Sequence, residues 1–335
     1  MKILFIGGTG LISSACSDLA VERGHELSIL NRSTSTKYPV PLSATLLQGD
    51  IHGDDAHLTS LLAGRRFDAV VDFIAFTASD IERDIRLFKD KTDQFVFISS
   101  ASAYQKPVRN YLITEETPLE NPFWEYSRNK IACELRLMDA FRNENFPVTI
   151  IRPSLTYGPT QISLAMNSWL HPWTIIECMR QGKKVIVPGD GTSLWVVTWN
   201  SDFAKGLLGL LGNPAAVGEA FQITSDEVLT WNQLYEEVYR ALGIEPNMVH
   251  VPSDLIVAHD PEKLGTLIGD KSNSVVFDNS KIKRFVPEFH CEVEWAEGVR
   301  RSLAWFERHP ESQTIDHEAI HRWDAILAAF ERAFP

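Results

Sequence analysis

The first 155 residues alternate short apolar runs with longer segments of helical period, and this alternation limits the possible folds more than any other feature. Strands are predicted at six runs rich in branched residues, namely 2–7, 26–31, 44–50, 69–74, 94–100 and 147–153. Helices are predicted between them, at about 11–23, 55–64, 77–90 and 126–145. Residues 1–155 are therefore expected to form βαβ units of the α/β class around a doubly wound parallel sheet.

The pattern changes after residue 155, where prolines become frequent and short strands mix with short helices. Residues 156–310 are predicted to form a smaller mixed lobe that binds substrate, and residues 311–335 a helix packed on the body. On the earlier helix at 126–145, four apolar residues at helical spacing are expected to face the sheet: Ile131, Leu135, Met138 and Phe141.

Composition argues against several classes of protein. The net charge of -12 makes a nucleic-acid partner unlikely, because such partners select basic surfaces. Four scattered cysteines predict reduced thiols and a cytoplasmic location, and the absence of a long apolar run predicts no membrane span. His317 and His321 are one helical turn apart without a third ligand nearby, so no metal site is expected.

A glycine turn follows the first strand directly and leads into a helix, with the spacing Gly7-x-x-Gly10-x-x-Ser13. Gly7 permits the tight turn, and Gly10 lets the backbone approach a pyrophosphate at the N-terminus of the helix. Ser13 stands where a third glycine is usual. The turn predicts a dinucleotide cofactor.

The ends of the second and third strands bear on which dinucleotide binds. Asn31 and Arg32 stand where NAD-binding chains often carry an acidic residue, and an arginine can pair with a 2′-phosphate. NADP is therefore mildly favoured over NAD, although Arg32 could also stack on the adenine. Asp50 is positioned to accept from the adenine amino group, and Ile51 to pack on its ring.

A tyrosine and a lysine one helical turn apart, Tyr126 and Lys130, are predicted as a proton-transfer pair. A tyrosine ordinarily titrates near pH 10, so we expect the lysine charge to lower the pKa of the phenol. Ser100, at the end of the fifth strand, is expected to orient the substrate oxygen.

These segments together resemble the extended short-chain dehydrogenase/reductase superfamily, in particular its epimerase/dehydratase branch. The resemblance covers about residues 2–305 and includes GGTGLIS, FISSASAY, YSRNK and IRPSLTYGP. It implies a Rossmann-type sheet with a smaller C-terminal substrate lobe, catalysis by Ser100, Tyr126 and Lys130, and a homodimer formed through the helix that begins near Tyr126. Implied cofactor contacts also include Thr9, Leu11, Ile12, Phe73, Ile74, Ala75, Ser99, Arg152 and Pro153.

The chain departs from relatives that act on nucleotide sugars at two arginines that hold the diphosphate. Trp195 stands at one position and Leu267 at the other, so a nucleotide sugar is the less expected substrate. Aromatic residues are concentrated in this region instead, and they suit the C–H faces of a sugar-like molecule. Four residues are predicted to contact substrate: Ser102, His171, Trp173 and Trp195.

The sequence thus predicts an NAD(P)-dependent oxidoreductase or epimerase that acts on a hydroxyl or keto carbon of a small sugar-like molecule. Net oxidation or reduction and epimerisation need the same residues, so the sequence leaves both open. Three alternatives stay open as well. They are a nucleotide-sugar enzyme with a non-standard diphosphate site, an RNA-binding relative of the chloroplast stem-loop type, and a cofactor-bound regulator without turnover.

Overall fold

A computed structural model describes residues 1–34 and 37–333. The strands are β1 (Lys2–Ile6), β2 (Glu26–Asn31), β3 (Thr45–Gln48), β4 (Ala69–Asp72), β5 (Phe95–Ile98), β6 (Leu112–Ile113), β7 (Val148–Pro153), β8 (Leu155–Tyr157), β9 (Val185–Pro188), β10 (Leu194–Trp195), β11 (Val197–Trp199), β12 (Ala220–Ile223), β13 (Leu229–Thr230), β14 (Met248–Val251) and β15 (Val276–Phe277). The helices are α1 (Leu11–Glu22), α2 (Asp55–Leu61), α3 (Ala78–Phe88), α4 (Glu125–Glu144), α5 (Thr174–Arg180), α6 (Asn200–Leu210), α7 (Trp231–Leu242), α8 (Ser253–His259), α9 (Lys263–Thr266), α10 (Ser280–Phe285), α11 (Trp295–Arg308) and α12 (His317–Ala333).

Seven parallel strands form the central sheet in the order β12-β7-β5-β4-β1-β2-β3. The order reverses between β1 and β4, and in doubly wound sheets this switch point opens a crevice at the carboxyl ends of the strands. Apolar clusters cover both faces of the sheet. The predicted Rossmann-type α/β class is confirmed, and all six predicted strands are present within a few residues.

The seventh strand, β12, comes from the part of the chain that was assigned to the second lobe. It pairs with β7, and α6 packs closely against α1. The chain therefore returns to the sheet after residue 155. A single boundary at that residue does not separate the sheet from the lobe.

The face that helix α4 turns to the sheet matches the predicted one only in part. Its buried residues are Ser127, Lys130, Cys133, Glu134, Leu137 and Ala140. Leu135 is instead 64% exposed, and Ile131 is half-buried. Met138 and Phe141 pack against the apolar cluster on the sheet as predicted. The prediction was wrong for Leu135 because the buried face also carries the polar residues Ser127, Lys130 and Glu134, which hydropathy assigns to solvent.

The second lobe contains short paired strands, β9 with β14 and β10 with β13, and a separate apolar cluster that includes Trp173, Trp231 and Trp295. Helix α12 packs on this cluster through Trp323, Ile326 and Leu327, among others. The four cysteines are all free. Within residues 1–34 and 37–333, no helix is both long and apolar enough to cross a membrane.

Candidate active site

The glycine turn lies at the switch point of the sheet, between β1 and α1. Gly7 has a φ of +84°, and a Cβ built on it would lie 2.6 Å from Cγ2 of Ile74. Only glycine fits this conformation and this approach without strain. Ser13 completes the turn, because its hydroxyl donates to the Gly7 carbonyl (2.7 Å) and accepts from the Gly10 amide (2.8 Å). Ser13, at the position where a third glycine is usual, thus has a structural role.

The N-terminus of α1 suits a negatively charged group. Gly10, the residue before the helix, has no side chain to cap it, Ser13 accepts only from the Gly10 amide among the described residues, and no acidic residue stands in the first turn. The first amides of a helix then point their N–H groups outward with the positive end of the helix dipole. These residues fit the pyrophosphate of a dinucleotide, with Thr9, Leu11 and Ile12 beside it.

The ends of β2 and β3 lie on the same edge of the sheet. Asn31 donates to the Thr9 hydroxyl at 3.2 Å, and Arg32 is exposed. Asp50 accepts from the His52 amide at 3.0 Å, and Ile51 is buried in the core beneath the sheet. The predicted adenine end of the cleft is thus assembled, although Ile51 exposes little surface to a ligand.

The segment after β4 is held in place by a buried carboxylate. Asp72 accepts hydrogen bonds from the amides of Ile74 (2.6 Å) and Ala75 (2.9 Å). The segment then contacts both halves of the site, since Ile74 packs against Gly7 and the Ala75 carbonyl faces Lys130. Phe73 lies at the rim of the adjoining cavity.

Lys130 is almost completely buried, with 1% of its surface exposed. Its ammonium donates to the backbone carbonyls of Ala75 (2.7 Å) and Ile98 (2.8 Å), and it lies 4.5 Å from the ring centre of Phe76 and 4.7 Å from that of Phe97. Burial lowers the pKa of Lys130 to about 8, because the charged form loses hydration. The lysine thus joins the carboxyl ends of β4 and β5.

Tyr126 and Ser100 meet opposite each other at the ends of α4 and β5. Burial raises the pKa of Tyr126, and its hydrogen bond with Ser100 acts in the opposite direction. The chain of hydroxyls continues from Ser100 to Ser102 (2.9 Å) and from Ser102 to Ser127 (2.8 Å). The expectation that Lys130 lowers the pKa of the phenol is not met in the structure without ligand, because desolvation dominates.

Ser99 and Arg152 were expected beside the nicotinamide, but both bind a buried carboxylate. Arg152 forms a two-pronged ion pair with Glu134, with its closest contact at 2.7 Å, and the Ser99 hydroxyl donates to the same carboxylate. The guanidinium also contacts Tyr104. Arg152 therefore ties β7 to α4, and its cofactor contact stays a prediction, while Pro153 lines the adjoining cavity.

A cavity of about 560 Å³ opens from these residues toward the second lobe, within the size range of ligand pockets. Ser100, Tyr126 and Lys130 line one wall, and Ile12 connects it with the glycine turn. A smaller cavity of about 230 Å³ adjoins it. The two share the side chains Leu155, Trp169, Thr266 and Lys271. The predicted catalytic and cofactor residues that line the larger cavity are Ile12, Phe73, Ser99, Ser100, Tyr126, Lys130 and Pro153.

The model of the NAD dependent epimerase/dehydratase family matches residues 3–224 of the chain. The chain belongs to this family. The match extends from β1 to just beyond β12, so it covers the central sheet with the glycine turn, Tyr126 and Lys130.

Two curated relatives in this superfamily have different functions. The chain is 27% identical to the chloroplast stem-loop binding protein of 41 kDa b from Arabidopsis thaliana, over 74% of the chain and 65% of that protein. It is 26% identical to 2′-dehydrokanamycin reductase from Streptomyces kanamyceticus, over 86% of the chain and 80% of that enzyme. Membership of the family alone therefore does not fix the activity.

A solved structure shows the same fold. The dTDP-glucose 4,6-dehydratase of Bacillus anthracis, crystallised in complex with NAD, superposes with a TM-score of 0.73 at 19% identity. The superposition covers 93% of the chain and 98% of the dehydratase. At this identity the likeness concerns the fold.

Of the four residues predicted to contact substrate, two line the larger cavity and two do not. Ser102 and Trp195 line the larger cavity. His171 lies apart from it, with its Nδ1 atom 2.8 Å from the Thr314 hydroxyl, and Trp173 is buried against Phe306. The structure does not bring His171 and Trp173 to the site, because the segment that carries them packs against α11 and the residues just before α12.

Several residues that line the cavity were not anticipated from the sequence. They are Phe76, Lys106, Trp124, Asp270 and, apart from a mention as a possible compensating cation, Lys271. Asp270 and Lys271 belong to a single π-helical turn at Leu267–Lys271, which carries them to the cavity. No sequence signal distinguishes Lys106, which lies in a largely polar stretch between Gln105 and Asn110. Its position could not be read without the fold.

Metal chemistry has no visible site in the described part of the chain. No group of three or more histidine, cysteine or acidic side chains there is arranged to hold a metal ion. His317 and His321 lie exposed on α12.

Proposed function

We propose that the protein is an NAD(P)-dependent oxidoreductase or epimerase acting on a hydroxyl or keto carbon of a sugar-like substrate. The observation that carries the proposal is the meeting of Ser100, Tyr126 and Lys130 on one wall of a cavity that is also lined by Ile12, in the first turn of the helix after the glycine turn. Family membership and the 2′-dehydrokanamycin reductase relative support it.

The cofactor would lie along the carboxyl edge of the sheet, with its pyrophosphate at Gly10 and its adenine half near Asp50. When bound, the nicotinamide supplies or accepts the hydride. Ile74 and Ala75 would support the nicotinamide half from below. NADP is proposed as the preferred form because Arg32 is exposed where a 2′-phosphate would lie.

Tyr126 would exchange a proton with the substrate oxygen, and Ser100 would hold that oxygen by a hydrogen bond. The raised pKa of Tyr126 keeps the phenol protonated at rest, so it is prepared to donate a proton to a carbonyl oxygen. Reduction of a ketone and epimerisation both stay open, because a phenol of ordinary pKa is also protonated at neutral pH. An epimerase would need Tyr126 to take the proton first, which a bound oxidised nicotinamide would assist by its positive charge.

Replacement of Tyr126 tests the assignment. Tyr126→Phe should lower the turnover of a cofactor-dependent reaction by roughly 10² to 10⁴, the usual contribution of a general acid or base. Tyr239→Phe is the matched control, because this buried tyrosine of the second lobe donates to the Asn247 carbonyl (3.4 Å) and lines neither cavity. Substrates would be found by screening ketosugars, glycosides and nucleosides for a change in nicotinamide absorbance. Unchanged turnover in Tyr126→Phe would refute the mechanism.

The RNA-binding relative supports a second candidate function. RNA affinity depends on neutralised phosphates and falls steeply with salt. The net charge of -12 works against this function, although it does not describe a local patch. A gel shift with a stem-loop RNA at increasing salt distinguishes the candidates, since a salt-sensitive complex would favour RNA binding.

We also propose a homodimer formed through α3 and α4. These helices contact each other, and Leu135 is exposed on the outer side of α4. An exposed leucine on a long helix is an interface candidate when a second copy covers it. The cytoplasmic location also stays a prediction.

A further inference from the structure

The two adjoining cavities carry a positive charge, although the chain as a whole is acidic. Among the described residues, their charged lining side chains are five cations and three carboxylates. The cations are Lys106, Lys130, Lys263, Lys271 and Arg322, and the carboxylates are Asp260, Asp270 and Asp316. Against a net charge of -12, this excess is concentrated where a ligand would bind. Charge in a cleft with low-dielectric walls attracts ligands of opposite sign.

Two of the three carboxylates are engaged within the smaller cavity. Asp316 accepts from the Ser168 hydroxyl at 2.8 Å and from the Ala319 amide at 2.9 Å. Asp260 lies 3.7 Å from the Arg322 guanidinium. The imbalance is therefore most marked in the larger cavity, around Asp270.

Asp270 is flanked by two ammonium groups. Lys106 approaches its carboxylate at 4.0 Å and Lys271 at 3.4 Å. The side chain of Lys106 is only 2% exposed, and that of Lys271 is 12% exposed. One carboxylate balances one of the two charges, so a second anion is needed to neutralise the group. Buried charges are normally paired.

Trp195 supplies an independent sign of a ligand. Its indole is 3% exposed, and its N–H finds no hydrogen-bond partner in the part of the chain that the structure describes. The ring stacks on Trp231, and Lys271 lies 5.9 Å from its centre. A buried N–H donor that lines a cavity beside an ammonium group is prepared for an acceptor oxygen.

We propose that Lys106, Lys271 and the Trp195 indole form an anchor for an anionic oxygen group on the substrate, either a carboxylate or a phosphoryl group. The anchor rests on the proposed function, whose substrate class it narrows to acidic or phosphorylated sugar-like molecules. Asp270 and Tyr126 line the same cavity, so the anchor and the reacting oxygen would share it. The anion would then be carried by the reacting molecule near its carbinol or carbonyl carbon.

The pKa of Lys106 agrees with this role. Burial lowers it, Asp270 raises it, and Lys271 lowers it. A bound anion would favour the charged form of Lys106 and replace part of its lost hydration.

The test follows the Trp195 indole N–H signal by NMR in the full chain labelled with ¹⁵N-tryptophan, assigned with Trp195→Phe. The probes are D-glucuronate for a carboxylate, D-glucose 6-phosphate for a phosphoryl group, and D-glucose as the neutral reference. At least one anionic probe should shift the signal and bind about tenfold or more tightly than glucose. Whichever anionic probe binds more tightly identifies the group.

Lys106→Met and Lys271→Met should each weaken the anionic probe by about tenfold and leave glucose unchanged. Lys184→Met is the matched control, because this half-exposed lysine of the second lobe pairs with Glu331 away from both cavities. If a variant does not fold, the salt dependence of the wild-type titration keeps the test decisive, since an anion anchor weakens as salt rises.

Three results would overturn the anchor. They are equal binding of glucose and both anions, an equal loss in Lys184→Met, and no signal change with any of the three probes. None of these measurements needs turnover. The anchor and the proposed reaction can therefore fail separately.

Discussion

The ammonium of Lys130 donates a hydrogen bond of 2.7 Å to the carbonyl oxygen of Ala75. This contact joins the helix that carries Tyr126 to the segment that packs against the glycine turn. The ammonium is thereby held with almost no hydration. Its burial should lower the free energy of unfolding by a measurable amount.

The cost of burying Lys130 should appear as a pH dependence of stability. Its folded pKa of about 8 lies below the ordinary value of 10.5, so between these values the unfolded chain binds more protons. The free energy of unfolding should therefore rise with pH across this window, by about 3 kcal/mol for this group. Below pH 8 both states are protonated and the full cost is present.

Urea unfolding without cofactor measures this effect as the difference in the free energy of unfolding between the wild type and Lys130→Met. The difference should shift in favour of the wild type as the pH rises from 8 to 10.5. Lys184→Met, which removes a half-exposed ammonium, should show no such shift. If the difference in the free energy of unfolding stays constant with pH, burial of the Lys130 ammonium does not destabilise the protein.

A buried arginine holds the ends of the segment that supports Lys130. Arg83 contacts Asp84 (2.8 Å) and Asp80 (3.0 Å) and lies 3.7 Å from Asp72. Asp80 in turn accepts from the amides of Phe76 and Thr77. One guanidinium thus secures the carboxylates at both ends of residues 72–80.

Arg83→Met should destabilise the protein by about 3–5 kcal/mol, because it leaves buried carboxylates without their partner. Arg86→Met is the matched control on the same helix. Arg86 pairs with Asp55 on the surface, where both side chains are more than half exposed, so its loss should cost at most about 1 kcal/mol. Chemical denaturation of both variants compares them, and equal effects would contradict the role of Arg83.

Most strands of the central sheet could be predicted from the sequence, but one could not. Strands β1 to β5 and β7 were predictable because each is a short run rich in branched residues, in a stretch where such runs alternate with segments of helical period. β12 was missed because Ala220–Ile223 follows a region of irregular pattern, although it is as long as β3, β4 and β5. Its place beside β7 depends on a long-range pairing that local propensity does not contain.

The candidate site was predictable where function follows local spacing and unpredictable where it follows packing. Gly7, Gly10, Tyr126 and Lys130 lie at fixed intervals along single elements, so their arrangement could be derived from the sequence. Trp195 and Trp173 have the same residue type, yet one lines the cavity and the other lies in the core. Only the folding of the second lobe distinguishes them.

Arg32 provides a test of cofactor preference. If its guanidinium pairs with the 2′-phosphate, Arg32→Ala should weaken NADP by about tenfold to a hundredfold and leave NAD nearly unchanged. Arg23→Ala, at the opposite end of α1, is an exposed control. Titration calorimetry with NAD and with NADP gives the affinity of each variant relative to the wild type. Equal losses for NAD and NADP would show that Arg32 stacks on the adenine and does not read the phosphate.

The proposed dimer makes Leu135 a contact between copies of the chain. Leu135→Glu would place a charge in that contact, so sedimentation velocity should show a dimer for the wild type and a monomer for the variant. Leu264→Glu is the control, because Leu264 is also a helical leucine with an exposed side chain but lies on α9 in the second lobe. Since α4 also carries Tyr126 and Lys130, loss of the dimer should lower cofactor-dependent turnover as well. A wild type that sediments as a monomer would refute the dimer and leave the assignment of Tyr126 and Lys130 intact.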